Sequence, residues 1–272
     1  MEYPQLDLQL ARRLELAEAE AAVQCAELVR GAQGDGSGAV TRVAGGYAVY
    51  CGADSPVTQA VALGLDGPVS EMEMDQLEDF YFSRSEPVRV ETCPLAHPTL
   101  MELYGQRGYR VTEFSNMLVR PVDHTQTSET SSPVEVRRIT PDEIEVWALT
   151  VAQGFAETYL VTDQLLNIVK MFSTGKNTEC YLARLDGKIA GGATLAFRGK
   201  IAGIFGASTL PQFRNRGVQT ELLRTRMRRA TEEGCDLAMS LAQPGSPSQR
   251  NIARQGFQVL YTRVKFERAA PQ

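Results

Sequence analysis

Residues 213–223 read FRNRGVQTELL: Arg214 and Arg216 flank Asn215, Gly217 follows, and no carboxylate appears before Glu221. The stretch follows an apolar, strand-like run, IAGIFGAST (201–209). It leads into a run where Val218, Leu222, Met227 and Ala230 recur at helical spacing, with Gly234 as a stop signal. A helix start presents unpaired backbone N–H groups and the positive end of the helix dipole, so it accepts phosphate readily. Gly217 lets the backbone approach an anion closely or take positive φ, and the two arginines can add charge-assisted bonds. The alternative is a surface loop with solvated arginines. Neither the Walker pattern nor GxGxxG is present, which argues against a nucleoside triphosphate or a dinucleotide. The other glycine-rich stretch, GAQGDGSG (31–38), has no strand before it and reads as a flexible loop.

Working outward, VEVRRI (134–139) reads as a strand and TPDEIEVWALTVAQGFAE (140–157) as a helix, with Thr140 as cap and Pro141 in the first turn. A second helix fits TDQLLNIVKMF (162–172), and three strand-like runs punctuated by DGK and RGK turns fill 179–210. After the helix come a buried strand, CDLAMSLAQ (235–243), a short helix, SPSQRNIARQ (246–255), and a closing strand, FQVLYTRVKFER (257–268). This order predicts an α+β fold with mixed, mostly antiparallel sheets flanked by helices. Residues 121–133, PVDHTQTSETSSP, are polar and Ser/Thr-rich, and read as a linker between a domain at 1–120 and one at 134–272. The first segment has a related outline: a long amphipathic helix, strands at 39–51 and 56–65, a helix at 70–82, a strand at 88–93 and a helix at 97–106. GQRGYRVTEFSNMLV (105–119) matches ARQGFQVLYTRVKF (253–266) through Gly108 and Gly256, which points to a duplicated fold.

Apolar residues at 43% and charged residues at 22% allow a buried core, and a net charge of −5 argues against nucleic acid as a partner. The N-terminal run is charged and amphipathic, so no export leader is expected, and no run is apolar enough to predict a membrane span. Five scattered cysteines without CxxC, and only two histidines, predict reduced thiols in a cytoplasmic protein and no metal site.

STLPQFRNRGVQTELL (208–223) resembles the pyrophosphate motif of the GNAT N-acetyltransferase superfamily, with Arg214, Gly217 and Gln219 in its defined places and Pro211 and Phe213 in its lead-in. QRNIARQGFQVLYTRVKF (249–266) resembles the same family's closing helix and last strands, so the likeness covers most of 134–268. In the first segment it extends only to element order and the closing motif, which suggests a tandem arrangement. Two departures stand out. Gln219 replaces a small residue, and Ile252, with Asn251 beside it, stands where the family often has a tyrosine acid. Tyr104 occupies that place in the first repeat. There, however, Asp66, Glu71, Glu73 and Asp75 crowd the phosphate-loop counterpart, so only the second domain is expected to bind a cofactor.

The resemblance implies acetyl-CoA, or another acyl-CoA, as cofactor. Its diphosphate would rest on Arg214, Asn215, Arg216, Gly217, Val218, Gln219 and Thr220, and its pantetheine arm would lie between the splayed strands IFGAST and LAMSLAQ. A backbone N–H near Thr209 or Leu210 would hold the oxyanion, Asn251 would contact the cofactor or a water, and Ser208 could relay a proton. The base is not identified by the sequence; Glu157 and Tyr159 are candidates, although residues of these types in such a place are more often plain surface residues. Cys180 and Cys235 read as core thiols without a histidine partner, and Trp147 as core. The implied acceptor is the amine of a small molecule or peptide, with a monomer or homodimer both possible. A non-catalytic acyl-CoA-binding regulator and a site for an unrelated phospholigand are the competing readings.

Overall fold

The computed structural model describes residues 3–34, 36–53, 55–123, 132–156 and 161–271. In chain order the elements are α1 (Leu8–Gln33), β1 (Ala39–Val43), β2 (Gly46–Tyr50), β3 (Gln59–Val61), α2 (Glu71–Phe82), β4 (Val88–Thr92), α3 (Pro98–Arg107) and β5 (Arg110–Pro121). They continue with β6 (Val134–Arg138), α4 (Ile144–Phe155), α5 (Asp163–Thr174), β7 (Thr178–Leu185), β8 (Lys188–Arg198), β9 (Ile201–Thr209), α6 (Val218–Glu232), β10 (Leu237–Ala242), α7 (Pro247–Ala253) and β11 (Gln258–Arg268). Two compact units emerge. The first comprises Gln5–Leu118, Ala242–Ser246 and Val259–Gln272; the second comprises Met1–Pro4, Val119–Leu241 and Pro247–Gln258. No described helix is long and apolar enough to cross a membrane.

In the first unit the strands run in the order β1-β2-β3-β4-β11-β5. Helix α1 starts where the Asp7 carboxylate accepts Leu10 N at 2.7 Å, a cap worth about 1 kcal/mol. β1 and β2 are joined through Ala44 and Gly45, both at positive φ, the conformation that a two-residue hairpin turn requires. β3 and β4 pair in parallel, and β4 and β11 antiparallel. Met74, Leu77, Tyr81, Val90, Leu100 and Tyr104 fill the core between sheet and helices. Tyr81 stays inside because its hydroxyl bonds both Val49 N and Val49 O.

The compact units are not contiguous in sequence, as a division at a single linker would make them. β11 closes the second sequence repeat yet belongs to the first unit. Its side chains account for this: Tyr261 Oη donates to Glu15 Oε1 at 2.8 Å, Lys265 pairs with Glu91 and Glu113, and Arg263 lies between Glu15 and Glu91. The matched glycines behave alike, Gly108 and Gly256 both adopting positive φ after a helix and before β5 and β11. Most of the linker stretch, 124–131, lies outside the described residues.

In the second unit the order is β10-β9-β8-β7-β6. α4 presents Trp147, Ala148, Val151 and Ala152 to the core, against Val169 of α5 and Leu182 of β7. Gly192 makes that packing possible, because a Cβ there would stand 2.7 Å from Val151 Cγ2. α6 lies on β8 and β9. β9 and β10 pair in parallel from Leu237↔Ile201 only as far as Met239↔Gly203. Beyond that point Ser240 Oγ donates to Ile204 O at 2.8 Å, and no registered backbone pair follows. From Ile204 onward β9 therefore presents an edge without a registered partner in β10, the groove side of the strand.

Candidate functional site

The groove-side end of β9 runs straight into the FRNRG turn. Pro211–Phe213 form one 3₁₀ turn, Asn215 takes φ +60°, and Gly217 takes φ +83° as the residue that opens α6. Both conformations are left-handed, which asparagine and glycine tolerate best. Gly217 supplies no side-chain cap, and residues 214–217 are exposed. A helix leaves its first amides without intrahelical partners, so those of Val218, Gln219 and Thr220 point out of an open turn. Four other helix starts differ: Asp7, Ser70, His97 and Thr162 cap α1, α2, α3 and α5 with a side chain, whereas α4 shares the lack of a side-chain cap with α6.

The side chains around the turn are less free than the sequence suggests. Arg214 Nη2 donates to Gly154 O at 3.2 Å and Nε to Thr209 O at 3.4 Å, tying the turn to the ends of α4 and β9. Arg216 pairs with Asp186 at 2.8 Å, which draws its charge toward the β7–β8 turn. The amide of Gln219 donates to Thr209 Oγ1 at 3.1 Å. The bulky residue in place of a small one therefore lies along β9, and the turn itself stays clear: a Cβ on Gly217 would meet nothing within 4 Å.

At the end of β9, the N–H of Leu210 donates to Ala190 O at 2.9 Å and is unavailable to a ligand. Antiparallel ladders alternate bonded and non-bonded pairs, so Thr209, opposite Gly191, turns its own N–H and C=O away from β8 toward the groove. Ser208 is buried, and its hydroxyl is spent on Val151 O at 2.9 Å. This bond pins α4 to β9 and leaves Ser208 poorly suited to relay a proton. Asn251 is exposed on α7, its Oδ1 accepting from Arg254 at 3.1 Å. Glu157 and Tyr159 lie outside the described residues. Cys180 is buried, and burial pushes its thiol up to about 12, the inert state expected of a core cysteine. Trp147 is fully buried core.

Sequence reasoning missed one residue here. Arg226, on α6, is only 2% exposed and donates to Leu222 O, Thr194 O and Phe205 O. Its signal was an arginine among the apolar positions Leu222, Leu223, Met227 and Ala230.

The corresponding part of the first unit is built otherwise. Ser70 Oγ caps Glu73 N, and the Glu73 carboxylate accepts Ser70 N at 2.8 Å, so α2 carries its own anion. Arg12 reaches from α1 to Leu65 O and Asp66, across the loop before α2. Tyr104 is core, its hydroxyl 3.3 Å from Thr92 Oγ1 and its ring against Tyr109 and Phe266. Among the described residues no group of three His, Cys, Asp or Glu could hold a metal.

Residues 143–257 match the family model described as the acetyltransferase (GNAT) family. Similar folds occur in a GCN5-related N-acetyltransferase from Kribbella flavida, at 15% identity and TM-score 0.64, over 91% of this chain and 94% of that one. A tandem GNAT protein from the clavulanic acid biosynthesis pathway aligns over 100% of this chain and 99% of its own, at 13% identity and TM-score 0.62. A GCN5-related N-acetyltransferase from Sphaerobacter thermophilus aligns over 69% of this chain and 61% of its own, at 16% identity and TM-score 0.52. No curated protein matches the sequence. The α+β fold thus agrees with the reading of the sequence; the match to the acetyltransferase (GNAT) family model is carried by residues 143–257, and the likeness to the tandem GNAT protein is one of fold.

Proposed function

We propose that the second unit is an acyltransferase site that binds acetyl-CoA, or another acyl-CoA, and passes the acyl group to the amine of a small molecule or peptide. The observation that carries this reading is the uncapped, exposed start of α6 behind Gly217, set at the end of a strand whose registered pairing with β10 stops at Gly203. Amides from Asn215 to Thr220 would hold the diphosphate, with Arg214 bracing the turn rather than forming the main anion contact. Acetyl-CoA supplies an activated thioester. The Thr209 N–H faces the groove and would donate to its carbonyl oxygen, whereas the Leu210 N–H is already taken. Such a donor is worth two to three orders of magnitude in rate, on the order of 3–4 kcal/mol. The first unit would not bind the cofactor, since Glu73 occupies the start of α2.

Two observations favour a second reading, a non-catalytic acyl-CoA binder. β9 carries no carboxylate, and the Ser208 hydroxyl is committed to a helix carbonyl. Thiol release from acetyl-CoA with a panel of amines separates the two: an enzyme releases thiol above background, and a binder gains thermal stability without release.

The turn can be tested without changing shape. Asn215→Asp keeps the left-handed residue and adds one negative charge beside the bound diphosphate. Repulsion of about 1–2 kcal/mol predicts CoA affinity lowered about tenfold, with the melting temperature little changed. Calorimetric titration checks it, and unaltered affinity would place the diphosphate elsewhere.

A further inference from the structure

The β8–β9 ladder contains a bulge whose consequences reach the proposed site. Gly192 faces Ser208, but Thr194 faces Phe205, so Ala193 is opposed by two residues, Gly206 and Ala207. Gly206 takes φ +58°, and a Cβ there would stand 2.8 Å from Thr194 Oγ1, so a side chain at 206 meets both strain and a clash. The extra residue sets the phase of everything after it. Without it, Ala190 would face Thr209 instead of Leu210, and the Thr209 N–H would enter the ladder rather than the groove.

Arg226 grips the two residues on the near side of this bulge. Its Nη1 donates to Thr194 O at 2.9 Å and to Phe205 O at 3.3 Å, and its Nε donates to Leu222 O at 3.0 Å. No carboxylate pairs with it among the described residues, and burial alone pulls its pKa down to about 9, leaving it charged at neutral pH. A buried cation without a counterion is costly, and an aliphatic residue would suit the surrounding face of α6. What offsets the cost is the set of three carbonyls: one Nη1 meets both strand oxygens while Nε holds Leu222 O, a combination that a guanidinium supplies and an ammonium, with its single nitrogen, does not. On α5, Phe172 stacks edge-on against Phe205 at 5.3 Å between ring centres, and its Cδ2 lies 3.2 Å from where a Gly206 Cβ would stand.

We propose that Arg226 is a positioning residue for acyl transfer: by bridging Thr194 O and Phe205 O it holds the β9 bulge that turns the Thr209 N–H toward the thioester. This rests on the acyltransferase reading above. It predicts a split between binding and turnover, because the α6 turn lies outside the bulge.

The test compares wild type, Arg226→Met and Arg226→Lys in the full chain, by CoA titration, thiol release from acetyl-CoA with an amine panel, and amide hydrogen exchange. In R226M the CoA Kd stays within about threefold while kcat falls about 30-fold or more, a loss confined to the reacting state. R226K recovers part of kcat, and exchange quickens across 205–209 but not across α6. Unchanged kcat in R226M, or CoA affinity lost in parallel with kcat in both variants, overturns the proposal. A wild type that binds CoA but is inert with every amine removes the acyltransferase reading alone. The bulge assignment then stands or falls on exchange at 205–209, and unchanged protection in R226M overturns it.

Discussion

Arg263→Ala destabilises the first unit by about 3–5 kcal/mol, the cost of leaving buried carboxylates without their counterion. Arg263 is 1% exposed on β11 and stands 3.4 Å from Glu15 Oε1 on α1 and 3.7 Å from Glu91 Oε2 on β4. These are ion-pair separations rather than hydrogen bonds; Glu15 Oε2, Glu91 Oε2 and Arg263 Nε lack hydrogen-bond partners among the described residues. Electrostatics therefore dominates the cluster. Glu91 retains Lys265 at 3.1 Å when Arg263 is removed, but among the described residues Glu15 keeps only the Tyr261 hydroxyl. Burial raises the Glu15 pKa, and Arg263 opposes that rise. An acid whose folded pKa lies above its unfolded one becomes less destabilising as pH falls toward that folded value. Removing Arg263 raises the Glu15 pKa further, so the deficit of R263A is largest near pH 7 and narrows toward pH 5. Denaturant titrations at the two pH values measure this, and a deficit independent of pH would assign the loss to packing instead.

Gly154→Ala abolishes most turnover, by about 100-fold or more, because misplacing a transition-state donor costs that much. A Cβ at Gly154 would stand 2.6 Å from Ser208 Cβ and 3.1 Å from Thr209 N, the proposed oxyanion donor. Neither neighbour can yield easily. Ser208 is bonded to Val151 O, Leu210 N is fixed to Ala190 O, and Gly191 leaves no slack because its own Cβ would stand 2.5 Å from Ser208 O. The end of α4 and the end of β9 must then separate, carrying the Thr209 amide away from the groove. CoA affinity falls less than turnover, since among the described residues only Arg214 links Gly154 to the turn. Steady-state kinetics with calorimetry resolves the two effects; a variant with wild-type kcat would show that the Thr209 amide has no part in transfer.

Much of this architecture was legible in the sequence because its signals are local. Thr162 before an apolar periodic run announces α5, Pro98 inside the first turn announces α3, and Gly108 and Gly256 mark helix ends that the structure holds in left-handed conformations. Gly217 at the strand-to-helix junction pointed to the open helix start for the same reason. What stayed hidden is non-local. The membership of β11 in the first unit depends on Tyr261, Arg263 and Lys265 meeting carboxylates some 150–250 positions earlier, at Glu15, Glu91 and Glu113. Likewise, the Leu210 amide looked as available as that of Thr209, since only the register set by the Gly206 bulge tells them apart. Arg214 and Arg216 read as anion ligands by charge, yet Gly154 O, Thr209 O and Asp186 claim them, contacts that spacing along the chain does not encode.

The central claim is that backbone amides at the start of α6 hold the cofactor's diphosphate. Amide chemical-shift mapping during an acetyl-CoA titration tests it most directly. The account predicts saturable shifts largest at residues 215–220, with a second set at Thr209 and its neighbours, and none at the start of α2. Shifts centred on Ser70–Glu73, or binding that leaves 215–220 unmoved, would contradict it.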